Sequence, residues 1–78
     1  MSLEALHRLR WAGWRVAVHN DYRLDGKDHT FWLFTKGYLA AKGEGLTDAE
    51  ALQEVEREVE RIAEDRRALK GAPRNEAD

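Results

Sequence analysis

Leu3, Leu6 and Leu9 recur at every third residue, with Ala5 and Ala12 widening the stripe, and this period predicts a helix over residues 2–12. Ser2 is placed to cap its start and Gly13 to end it in a left-handed conformation. From Trp14 the period changes to two. Trp14, Val16, Val18, Asn20, Tyr22 and Leu24 alternate with Arg15, Ala17, His19, Asp21 and Arg23, the pattern of a strand. Asp25-Gly26 follows, a dipeptide suited to the positive φ angles of a type I′ hairpin turn. Residues 29–36 form the second strand, with Phe31 and Leu33 on one face and Trp32 and Phe34 on the other. Gly37 interrupts it, and residues 38–42 predict a short third strand closed by Gly43-Glu44-Gly45. Thr47-Asp48-Ala49-Glu50 has the form of a capping box. It opens a long helix with Leu52, Val55, Val59, Ile62 and Leu69 turned inward, stopped by Gly71 and Pro73.

These elements predict an α+β fold of order α-β-β-β-α, a three-stranded antiparallel sheet with two helices packed on one face. Residues 1–70 make one domain, and 71–78 are expected to be a disordered tail. Two helices leave the second face of the sheet open. A two-residue hairpin loop pairs Leu24 with Lys27, Val18 with Leu33 and His19 with Trp32. The expected buried face is then Val16, Val18, Phe31 and Leu33. The expected open face carries Arg15, Ala17, His19, Asp21, Arg23, Trp32, Phe34 and Lys36. Trp11 and Trp14 are expected to plug the core beside the first helix.

Composition narrows the function classes. The chain has 78 residues, enough for one small domain, and no cysteine, which excludes disulfide scaffolds and cysteine-based zinc or nucleophile chemistry. Its 13 Lys+Arg nearly balance 15 Asp+Glu, so there is neither a polybasic arm nor a strongly acidic tail. The longest apolar run, Phe31-Trp32-Leu33-Phe34, is far too short to span a membrane. No charged-then-apolar leader opens the chain, and the expectation is a cytoplasmic protein without membrane contact.

The run from Tyr22 to Ile62 resembles a double-stranded-RNA-binding domain. That family shares the α-β-β-β-α order, and its first hairpin carries a glycine shortly before a histidine and an aromatic strand residue. Gly26, His29 and Phe31 stand in those places, and Gly43-Glu44-Gly45 precedes the capped helix as the family's glycine-x-glycine does. The resemblance implies contact with nucleic acid. Where the family has a lysine-rich start to its second helix, this chain has Asp48, Ala49 and Glu50, whose two carboxylates repel phosphate and weaken that site. The stretch from Gly43 to Leu52 is also similar to the strand-to-helix junction of HicB-type antitoxin domains and to small phage-encoded α-β sandwich proteins. Those resemblances imply a phage or mobile-element accessory protein, an antitoxin-like factor or an inhibitor of host defence.

No catalytic constellation is visible. Ser2 is the only serine, the threonines lack an adjacent base, and Gly43-Glu44-Gly45 lacks the lysine of a phosphate loop. His19, Asp21 and His29 lie on the first hairpin, but alternation puts His29 on the other face from His19 and Asp21, a poor arrangement for one metal ion. Glu56, Glu60 and Glu64 stand at fourfold spacing, relieved by expected Glu54–Arg57, Glu58–Arg61 and Glu64–Arg67 pairs. The strongest signal is aromatic, because Trp is enriched at interface hot spots. The reading is a non-enzymatic protein-binding module without cofactor or metal. It acts through Arg15, His19, Arg23, Trp32, Phe34 and Lys36 on the open sheet face, on a protein partner or a second copy of the chain. The alternative is an RNA-binding domain acting through Arg8, Arg10, Lys27 and His29.

Overall fold

A computed structural model describes residues 3–71, with side chains through Ala68. The elements are α1 (Glu4–Trp11), β1 (Arg15–Leu24), β2 (Lys27–Lys36), β3 (Leu39–Gly45) and α2 (Asp48–Gly71). The strands form one antiparallel sheet in the order β1-β2-β3, so the α-β-β-β-α meander stands as expected. Ser2, Pro73, the Leu69 side chain and the tail beyond Gly71 lie outside the described residues.

Both hairpin turns follow from residue type. Asp25 and Gly26 adopt φ of 53° and 75°, the doubly positive signature of a type I′ turn, and Leu24 pairs with Lys27. At the second hairpin Gly37 takes φ of 63° and Lys36 pairs with Leu39, the glycine-first arrangement of a type II′ turn. The register is the expected one, with Val18 opposite Leu33 and His19 opposite Trp32; a bulge falls between Val16 and Val18. Gly13 ends α1 with φ of 97°.

The helices cover the other face of the sheet from the one expected. Trp32 is 6% exposed and Phe34 is fully buried, whereas Val18, opposite Leu33, is 41% exposed; the bulge sets Val16 opposite Phe34 on the helix side, where it stays 42% exposed at the sheet edge. Phe31 and Leu33 are half-buried on the face away from the helices. The core joins Trp32 and Phe34 to Ala5 and Leu9 of α1, Trp14, Ala41 of β3, and Ala51, Leu52 and Val55 of α2. Two physical reasons account for the reversal. First, β1 is an edge strand that packs chiefly on β2, while α2 lies over β2 and β3, so the valines of β1 do not mark the buried side. Second, β3 places its small residues toward the helix. A Cβ added to Gly43 would stand 2.7 Å from the Val55 backbone nitrogen and collide with the Ala51 carbonyl oxygen. Only glycine allows α2 to approach that closely. Gly43-Glu44-Gly45 is therefore the end of β3 under the helix, not a loop after it.

Trp14 fills the core at 5% exposure, but Trp11 is 93% exposed. At about 100° per residue, Trp11 points away from the side that Leu9 buries. The capping box of α2 forms: the Glu50 amide donates to Thr47 Oγ1 at 3.2 Å, and the Glu50 carboxylate accepts from the Leu46 amide at 2.9 Å.

Candidate functional site

Two places on the sheet bring chemistry together. The first is the open face. Cross-strand pairing lines up Val18, Leu33 and Lys42 in one row and Asn20, Phe31 and Glu44 in the next. Val18, Leu33 and Phe31 make an apolar centre without a covering element among the described residues. Tyr22 and His29 extend it toward the hairpin tip, with their rings stacked at 5.3 Å between centroids. The Tyr22 hydroxyl donates to the Glu44 carboxylate. That hydrogen bond, with some burial and the nearby negative charge, holds the phenol above its usual pKa near 10.

The second place is a corner on the helix side, where β1 meets the start of α2. His19 stacks on Trp32 with centroids 3.8 Å apart and planes inclined by 18°. Its Nε2 lies 3.5 Å from Asp48 Oδ1 and 3.7 Å from Asp21 Oδ1. Asp48 Oδ1 also accepts from Thr30 Oγ1 at 3.1 Å and from Trp32 Nε1 at 3.2 Å. The capping box puts Asp48 in the first turn of α2, and strand alternation puts His19 and Asp21 on one side of β1.

The structure divides the interaction residues named from the sequence. Trp32 and Phe34 form the core, so they are not part of the open face. Arg15 pairs opposite Thr35, which places it beside that face. His19 belongs to the helix-side corner. Arg23 is held by Asp28 at 3.1 Å. Lys36 is exposed at the end of β2, close to Gly13. The apolar centre actually left open consists of residues assigned to the core from the sequence. The missed signal is the Ala41-x-Gly43-x-Gly45 alternation, which marks the helix-facing side of β3.

The residues of the nucleic-acid alternative lie on separate elements. Arg8 reaches across from α1 to grip the Glu56 carboxylate in a two-pronged contact at 2.8 and 2.9 Å. This hydrogen bond and charge raise the Arg8 pKa further. Arg10 is exposed on α1, Lys27 is exposed at the hairpin turn, and His29 is engaged by Tyr22. On α2 the Glu54–Arg57 and Glu58–Arg61 pairs form as expected. Among the described residues a Glu64–Arg67 pair does not; Arg61 instead reaches Asp65 at 4.0 Å. Among the described residues no helix is long and apolar enough to cross a membrane.

No family model matches the chain, and neither a curated protein nor a solved structure matches it significantly. Fold and site chemistry therefore carry the functional reading.

Proposed function

We propose that the protein is a small non-enzymatic binding module whose open sheet face docks a protein partner. One observation carries this reading: Val18, Phe31 and Leu33 form a contiguous apolar centre on the side of the sheet opposite both helices. Contiguous exposed apolar surface on a small domain favours burial against another protein. The surrounding Arg15, Lys42 and Glu44 supply a polar rim of mixed sign, the ordinary composition of a protein interface.

The element order matches that of double-stranded-RNA-binding domains, and RNA binding is the competing reading. Protein binding is favoured over it because the start of α2 presents Asp48 and Glu50, and because Glu56 already occupies Arg8. Neither arrangement suits a polyphosphate backbone.

The test compares the parent with a Val18→Glu, Leu33→Glu double variant, folding checked by circular dichroism. Sedimentation reports self-association, and affinity capture at high salt after nuclease treatment reports an external partner. The expected result is association in the parent that resists salt and is lost in the variant. Nucleic acid recovered alone and released by salt overturns the reading.

A further inference from the structure

We propose that His19, Asp21 and Asp48 bind a divalent first-row transition-metal ion that ties the edge strand β1 to the start of α2. The three donor atoms, one imidazole nitrogen and two carboxylate oxygens, all lie within 4.8 Å of one another. The Nε2 of His19 is 3.5 Å from one oxygen and 3.7 Å from the other. Donors bonded to one such ion at about 2.0–2.2 Å stand roughly 3.0–3.5 Å apart, so a small inward movement completes the triangle. Asp21 and His19 have exposed side chains with freedom to make it.

The surroundings favour coordination. The Trp32 indole stacks on the His19 ring and fixes its plane. Thr30 and Trp32 donate to Asp48 Oδ1 and orient that carboxylate, as the supporting shell of a metal site does. Asp48 Oδ2 has no hydrogen-bond partner among the described residues, so rotation of the carboxylate can turn it to an ion. Two carboxylates and a neutral imidazole compensate a dipositive charge. They outweigh the opposing partial charge of roughly half a unit at the start of α2. The imidazole favours zinc, iron, nickel or copper over calcium or magnesium, whose preferred donors are all oxygen. Three protein donors leave at least one coordination position for water.

The ion has a structural consequence. β1 packs chiefly on β2, and the helix layer rests on β2 and β3. A metal bridging His19 and Asp21 to Asp48 pins the middle of that edge strand to α2. The site lies on the helix side of the sheet, so its failure would leave the open-face reading intact.

The test is calorimetric titration of the metal-free protein with Zn²⁺, with Co²⁺ absorption as a report on the donors. The expected result is saturable binding of about one Zn²⁺ per chain, weakened at least about tenfold in His19→Gln and in Asp21→Asn. A His29→Gln variant, altered on the other face, should match the parent. Both ligand variants change exposed side chains, and circular dichroism verifies their fold. The absence of saturable binding in the folded parent overturns the proposal. So does binding that His19→Gln and Asp21→Asn leave unchanged.

Discussion

The indole N–H of Trp32 donates to the Asp48 carboxylate across 3.2 Å, joining the central strand to the first turn of α2. A buried indole needs a partner for its N–H. Asp48 supplies it only on the helix side, so this contact agrees with the orientation of the whole sheet. Phe34, two residues further on, packs beside Trp32 on the same side with centroids 5.8 Å apart. Leu33 between them is left to the open face.

That orientation predicts opposite reactivity at two adjacent positions. The chain has no cysteine, so single substitutions give an unambiguous thiol signal. Ala40 is exposed opposite Thr35, while Ala41 is 1% exposed opposite Phe34. Ala40→Cys is expected to react with a maleimide at close to the rate of a free thiol. Ala41→Cys should react at least about a hundredfold more slowly, because its labelling requires opening of the fold. Equal rates, or the reverse order, would contradict the assignment of faces.

The approach of α2 to β3 makes Gly43 and Gly26 unequal. A methyl group at Gly43 meets the Val55 amide nitrogen at 2.7 Å, so Gly43→Ala should cost about 1–3 kcal/mol or more in urea denaturation. Gly26 has open space around it and φ of 75°. Gly26→Ala carries only the backbone penalty, about 1 kcal/mol.

The Tyr22–Glu44 hydrogen bond predicts a response to alkali. The neutral phenol is the donor, so the folded state holds Tyr22 above its usual pKa near 10. A group raised in the folded state contributes stability below its unfolded pKa and loses it as pH climbs through the folded one. In a Tyr38→Phe background, absorbance titration should show Tyr22 ionising above pH 10, and Glu44→Ala should bring the midpoint down. An unchanged midpoint would mean that the hydrogen bond does not form in solution.

The order of elements was legible in the sequence because each boundary has a local cause. Asp25-Gly26 sets the first hairpin, Gly13 ends α1, and Thr47 with Glu50 starts α2. The register was legible too, since a two-residue turn leaves no freedom in pairing. The buried face was not, because β2 is apolar on both sides: Phe31 and Leu33 on one, Trp32 and Phe34 on the other. The alternation of β1 broke the tie wrongly, since an edge strand beyond the helices can expose its valines. Local patterning also could not show Asp48 beside His19, because that contact joins residues 29 positions apart in the chain through the packing of α2.

The open face is tested most directly by a photo-cross-linking side chain at position 33, with one at exposed position 53 of α2 as the comparison. Docking on the open face gives a discrete protein adduct from position 33 that survives high salt and nuclease, and none from position 53. An adduct from position 53 alone, or nucleic acid as the only species joined to position 33, would contradict it.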